Sequence, residues 1–165
     1  MNKSSTFCPV PEEQQPVNEY QELSQSGFFR WVALPKWQFL RKLTKVWALS
    51  LFLTAPIAAA SFPPDEELIR FVIASAMGGG FFVALALIRL YLGWQHIGSR
   101  LLKTKIVYEE SSWYDGQVWE KPLEIYNRDR LIFNYQVEPL LKRLQKSSLL
   151  LLGLMVTGAG IFLIF

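Results

Sequence analysis

One cysteine and one histidine stand in a chain of 165 residues, and each scarcity removes a class of chemistry. With Cys8 alone there is no intrachain disulfide, and no second thiolate or neighbouring His to make a metal pair. With His96 alone, a bis-histidine haem within one chain is excluded. Cys8 therefore reads as a plain small residue. His96, after the second apolar run, reads as a hydrogen-bonded interfacial side chain rather than an axial ligand to haem or chlorophyll. The opening residues lack a basic stretch followed by an apolar one, and they lack an Arg/Ser-rich amphipathic pattern. Neither a cleavable signal peptide nor a transit peptide is expected there. Insertion then rests on the membrane helices themselves, with translation in the compartment that holds the membrane.

Charge is missing from three long runs, 46–62, 71–88 and 147–165. Helices in a soluble core are interrupted by polar residues every turn, and these are not. A bilayer core needs on the order of 20 apolar residues of helix. The fold class read from this pattern is an α-helical membrane protein with three transmembrane helices. A short β-hairpin and a Pro-rich N-terminal arm lie on the cytoplasmic or stromal side. The boundaries are an arm and basic aromatic lead-in over 1–45, helices over 46–62, 68–94 and 147–165, and a polar hairpin-and-helix segment over 95–146. Because no ionisable group falls within the spans, an ion channel or transporter acting alone is disfavoured. Gly78-Gly79-Gly80 is no phosphate loop, since it lies inside an apolar run with no Lys-Ser/Thr after it.

Positive residues set the orientation. Arg30, Lys36, Arg41, Lys42 and Lys45 precede the first span, Arg100, Lys103 and Lys105 follow the second, and Lys142, Arg143 and Lys146 precede the third. The tip between the first two spans reads Pro63-Pro64-Asp65-Glu66-Glu67 and carries no basic residue. The N-terminus and residues 95–146 are thus expected in the cytoplasm or stroma, and the C-terminus on the lumenal side. Pro56 predicts a kink in the first span. Asp65, Glu66 and Glu67 suit the N-terminus of the second. Ser75 with Gly79, and Ala74 with Gly78, have the small-xxx-small spacing that lets helices approach closely. Gly153, Thr157 and Gly160 share a second small face. The two faces are expected to pack on each other within the chain, with a partner helix as the sharper reading.

In the arm, Pro9, Pro11 and Pro16 favour an extended, polyproline-like chain. Phe28, Phe29 and Trp31 argue against a fully disordered lead-in. Further on, residues 105–109 have strand-like composition, and Asp115-Gly116 between aromatic residues signals a hairpin turn. A helix is expected over 128–145, with Pro139 at its start or at a kink, running on into the third span. Glu109, Glu110, Asp115, Glu120 and Glu124 match no ligand-loop spacing and read as a solvated face.

Two stretches carry a family resemblance. Cys8-Pro9-Val10-Pro11-Glu12-Glu13-Gln14-Gln15-Pro16-Val17-Asn18-Glu19-Tyr20 with Phe28-Phe29-Arg30-Trp31 is one. Trp113-Tyr114-Asp115-Gly116-Gln117-Val118-Trp119-Glu120-Lys121-Pro122 is the other. With the three spans, they resemble the CGLD-like family, conserved in the green lineage and diatoms. The resemblance implies a cyanobacterial or plastid membrane protein, most naturally of the thylakoid. It carries no established enzyme activity, a loose link to photosynthetic acclimation and iron limitation, and no assigned functional residues.

The expected function is that of a non-enzymatic auxiliary or assembly factor for a photosynthetic membrane complex. Phe28, Trp31, Trp113, Tyr114 and Trp119 are its candidate partner contacts, because aromatic residues supply much of an interface's energy. Ser75, Gly78, Gly79, Gly153 and Gly160 are its candidate helix-packing positions. The expected partners are the bilayer and a membrane complex. A homo-oligomer through the glycine patches is compatible with this, and no cofactor, metal or nucleic acid is assigned. The rival reading is a metal- or pigment-binding protein or transport-system subunit using His96, Cys8 or the hairpin carboxylates. A membrane-embedded enzyme with a polar pocket between 109–124 and 128–130 ranks third.

Overall fold

The computed structural model describes residues 9–108 and 116–164. Cys8, Trp113, Tyr114 and the carboxylates of Glu109, Glu110 and Asp115 lie outside them. Five helices and one hairpin follow in order: α1 (Pro16–Gln25), α2 (Lys36–Ser61), α3 (Leu68–Leu102), β1 (Lys105–Tyr108), β2 (Gln117–Glu120), α4 (Leu123–Ile132) and α5 (Glu138–Ile164). Three helical stretches, Lys36–Ser61, Leu68–Leu102 and Leu123–Ile164, are long and apolar enough to cross a membrane. The mostly helical architecture with three such stretches and a two-stranded hairpin is the expected one.

The helices overshoot the apolar runs. α2 begins ten residues before Val46, directly after Pro35, whose backbone (φ −50°, ψ 149°) stands outside the helix. Nothing between Pro35 and Val46 breaks a helix, and long basic side chains extend from it readily. α2 continues through Pro56 and stops at Ser61, just before Pro63 and Pro64, which cannot extend it. The acidic residues of the tip do not open α3. They form the turn before it, where Glu66 and Glu67 both donate backbone N–H to the Pro63 carbonyl, and the first turn of α3 holds no acid.

The arm corrects a second expectation. Residues 16–25 are helical rather than extended, because Pro16 occupies the first turn of α1. There its missing N–H costs nothing and its fixed φ favours the helix. Among the described residues before it, Glu12–Gln14 form a 3₁₀ turn, and a second 3₁₀ stretch, Phe29–Ala33, follows α1.

Pro139 is the second residue of α5, as expected for a helix start, and it follows a local irregularity in the helix. α4 begins earlier than expected, at Leu123 after Pro122, and joins α5 through a π-helical turn at Phe133–Val137. The Glu138 N–H reaches back to the Phe133 carbonyl. A proline at 139 supplies no N–H to the preceding turn and crowds its carbonyls. Widening the helix by one residue just ahead of it keeps the remaining backbone groups paired.

The chain divides into two compact units. One draws on the described parts of residues 1–30 and 92–141, the other on 31–91 and 142–164. The second is the apolar unit. Its buried residues include Val32, Phe39, Leu87, Leu90 and Leu144, while Phe52, Ile57, Leu149 and Leu163 point outward and are exposed. Apolar side chains on the outside suit a hydrocarbon solvent and are costly in water. α2 and α3 are joined by side chain to backbone hydrogen bonds: Trp47 Nε1 donates to the Ala76 carbonyl (3.1 Å) and Thr54 Oγ1 to the Ser75 carbonyl (3.1 Å).

Candidate functional site

The first unit carries most of the polar chemistry, and its arrangement starts from the end of α3. A helix leaves its last carbonyls without N–H partners. Here the Lys121 ammonium supplies them: Nζ donates to the carbonyls of Arg100 (3.2 Å) and Leu101 (3.1 Å) and to Asp129 Oδ2 (2.7 Å). The Lys121 and Asp129 side chains are 0% and 1% exposed. Three donors thus meet three acceptors, which satisfies a buried ammonium completely. Arg128, itself largely exposed, holds the other Asp129 oxygen (3.2 Å). The knot ties together the end of α3, the strand that leads into Lys121 and the helix α4 that carries Asp129. No local pattern announces it, because its acceptors lie twenty residues upstream of Lys121 and eight downstream. The sequence offers only a lysine before a proline and one acid among arginines.

α1 is fastened to the same stretch of α3. Trp94 is fully buried and donates its Nε1 hydrogen to the Phe29 carbonyl (3.2 Å). Tyr20 meets it edge-on at 6.1 Å between ring centroids. Gly93 makes room for the Phe29 ring, which a Cβ at that position would overlap. Arg100 pairs with Glu19 and donates through Nη2 to the Gln14 carbonyl (3.1 Å). Burial raises the Glu19 carboxyl above its ordinary value, against the lowering pull of Arg100 and then His96. Burial also raises the Tyr20 hydroxyl.

The hairpin contributes its inner face. β1 and β2 run antiparallel with Ile106 opposite Trp119 and Val107 opposite Val118. Ile106 and Tyr108 are buried with Val10 of the arm, and Trp119 packs against that cluster. The outer face exposes Val107 and Val118. A two-stranded hairpin alone is marginal in water. Here Val10 supplies the third side.

A cleft of about 350 Å³ opens in this unit, lined by Gln14, His96, Ser99, Arg100, Lys103 and Lys105 together with Ile106, Val107 and Tyr108. It holds three cationic side chains and no carboxylate in its lining. The apolar unit has a different cleft, about 480 Å³, formed by α2, α3 and α5 around Trp47, Met77, Gly80, Leu151 and Met155.

The candidate residues fall as follows. Phe28 is half-buried and meets Phe29 edge-on at 5.4 Å. Trp31 is half-buried, with the Lys42 ammonium 5.5 Å from its ring centroid. Trp119 is half-buried on the Val10 cluster. Trp113 and Tyr114 lie outside the described residues, as does Cys8. His96, Glu120 and Glu124 are exposed. Among the described residues, no group of three or more His, Cys, Asp or Glu is placed to hold a metal.

The small residues of α3 meet α2 rather than the small face of α5. A Cβ at Gly78 would lie 2.8 Å from Thr54, and one at Gly79 2.9 Å from Trp47 and 3.2 Å from Ser50 Oγ. Ser75 is buried. α5 approaches α3 through side chains instead, with Met155 against Gly80 and Gly158 against Met77. The expected pairing of the two small faces is therefore not made. Gly153 and Gly160 would each find nothing within 4 Å of an added Cβ, and both are exposed. The reason is size: Leu151 and Met155 fill the approach on the side of α5 that carries Gly158, which leaves Gly153 and Gly160 outward.

With this geometry described, similarity to known proteins can be placed. A family described as CGLD27-like, "Conserved in the green lineage and diatoms 27", matches residues 8–150. The chain is 43% identical over 162 residues to the Arabidopsis thaliana protein "Conserved in the green lineage and diatoms 27, chloroplastic". That match covers 98% of this chain and 49% of the plant protein. It is 42% identical to the protein ycf36 of Pyropia yezoensis, over 96% of this chain and 95% of that one. It is 41% identical to ycf36 of Porphyra purpurea, over 100% and 99%. The chain thus spans about half the length of the plant relative and nearly the whole of the algal ones. No solved structure matches it. The chain belongs to the CGLD27-like family.

Proposed function

We propose that this CGLD27-like chain is a non-enzymatic membrane protein of the thylakoid that serves as an auxiliary or assembly factor for a photosynthetic complex. One observation carries the reading. No residue in the most apolar part of the third stretch is fully buried; Leu151, Met155 and Gly158 touch α3, and the small face at Gly153 and Gly160 is open. Within a bilayer, helices associate by close packing of small surfaces rather than by the hydrophobic effect. An open small face on a span that packs on α3 only along its other side suits a helix of a larger complex. The polar unit fits the same role, since its buried Lys121–Asp129 pair serves structure, with the ammonium fully satisfied. The chloroplastic relative supports a plastid-type membrane, and the basic flanks support a stromal or cytoplasmic polar unit.

Affinity purification of the tagged protein from gently solubilised membranes tests this. Enrichment of one photosystem, cytochrome complex or assembly intermediate is the expected outcome, with enrichment reduced by Gly153→Leu at unchanged protein abundance. A protein that elutes without any complex overturns it.

A second reading rests on the apolar cleft around Trp47, Met77 and Gly80. At about 480 Å³ it falls in the range of small-molecule sites, and its apolar lining matches a pigment or isoprenoid tail. This carrier reading predicts stoichiometric pigment in the same purification, with Gly80→Leu removing the pigment while leaving the protein in the membrane.

A further inference from the structure

We infer that the cleft between the end of α3 and β1 binds a tetrahedral oxyanion, such as the phosphate of an ester. Along α3, His96, Arg100 and Lys103 recur at spacings of four and three, which places them on one helix face. Ser99 lies on the same face, and Lys105, at the start of β1, adds a third cation. All five line the 350 Å³ cleft, and no carboxylate does. Two described acids come near it. Glu19 is engaged by Arg100, and Glu120 sits opposite Lys105 across the hairpin without forming an ion pair with it. Among the described residues, neither Lys103 nor Lys105 is ion-paired, and both are exposed.

The end of a helix ordinarily repels an anion, because its free carbonyls carry partial negative charge. That objection is met in this fold. The buried Lys121 ammonium covers the carbonyls of Arg100 and Leu101, and its own charge is balanced by Asp129. Arg100 is also held in place: its bonds to Glu19 and to the Gln14 carbonyl fix the guanidinium before any ligand arrives. A pre-positioned guanidinium loses less freedom on binding phosphate than a free one. The cleft therefore has one fixed cation and two exposed ones, which suits a phosphate with several outward oxygens.

Two sources share this chemistry: an anionic lipid headgroup and a free phosphate. Full-length protein is purified in a neutral detergent and probed separately with phosphatidylglycerol, phosphatidylcholine and inorganic phosphate. Retained lipid is counted by native mass spectrometry and phosphate binding is followed by calorimetry. The variants are Lys103→Gln/Lys105→Gln and, as a control on another basic flank, Lys36→Gln/Lys45→Gln. Circular dichroism confirms that each remains folded. The expected result is retention of one anionic ligand that weakens about tenfold or more in the Lys103/Lys105 variant and stays unchanged in the control. Selective retention of phosphatidylglycerol identifies the lipid source, and binding of inorganic phosphate identifies the free one. Either supports the site. Equal weakening in both variants, or no anion binding by either measure, overturns it.

Discussion

Lys121 and Asp129 meet at 2.7 Å with both side chains sealed from solvent, and the same ammonium closes the carbonyl end of α3. A charge pair placed this way is costly to halve. Asp129→Asn leaves the ammonium without its counter-charge, and a loss of ~3–5 kcal/mol is expected. Arg128→Ala removes only an exposed partner of the same carboxylate and should cost ~0–1 kcal/mol. Thermal unfolding in detergent ranks the two. A smaller loss for Asp129→Asn than for Arg128→Ala would show that the pair does not hold the unit together.

Gly79 and Gly153 should respond in opposite ways to one added methyl group. At Gly79 the methyl runs into Trp47 and Ser50, so Gly79→Ala should lower stability by ~1–3 kcal/mol through overpacking. At Gly153 the space is open, so Gly153→Ala should be neutral or gain up to ~1 kcal/mol from helix propensity. Unfolding midpoints of the two variants decide it.

Trp94 joins packing and hydrogen bonding at one buried position. Trp94→Phe keeps most of the ring but removes the donor to the Phe29 carbonyl. A loss of ~1–3 kcal/mol is expected for an acceptor left unpaired. Gly93→Ala pushes directly on the Phe29 ring and should loosen the same contact. Both are read from faster proteolysis between residues 9 and 30. Unchanged cleavage would mean that α1 is held by Arg100 alone.

Glu19 gives the polar unit a pH dependence with a definite sign. Its carboxyl is raised in the folded chain, chiefly by burial, above the ordinary value of 4.5. The folded state therefore binds this proton more tightly than the unfolded one. The stabilisation is complete below the unfolded pKa and is lost as pH rises from about 4.5 through the raised folded value,. Glu19→Gln cannot titrate and should flatten that part of the stability profile. Parallel melts of both proteins across this range check it; a parent profile that rises with pH in that window, relative to the variant, would reverse the assignment.

The three helices long and apolar enough to span a membrane were legible because a bilayer imposes a one-dimensional requirement: enough consecutive residues without charge. The runs 46–62, 71–88 and 147–165 meet it on composition alone. The hairpin's strand at 105 was legible in the same way, but its register was not: Gln117 stands opposite Tyr108, so Asp115-Gly116 is not a two-residue turn between paired neighbours, and Asp115 lies outside the described residues. Helix ends were less legible. Past the apolar run nothing forces a helix to stop until a proline appears, so α2 reaches back to Pro35. α1 was misread because a proline permits a helix after it while opposing one before it, and Pro16 stands at the boundary.

Sequence alone determined the apolar stretches, the placing of basic residues beside them and the family motifs, since each is a property of neighbours along the chain. Only the tertiary structure decided which small residues are occupied and which are free. Gly79 and Gly153 both read as packing positions, yet one faces Trp47 and the other faces nothing. It alone also revealed the Lys121–Asp129 pair and the cleft that joins His96, Arg100, Lys103 and Lys105. Such sites depend on the directions in which separate helices and strands present their side chains. That is settled by how bulky residues such as Met155 fill space, and no spacing within one segment encodes it.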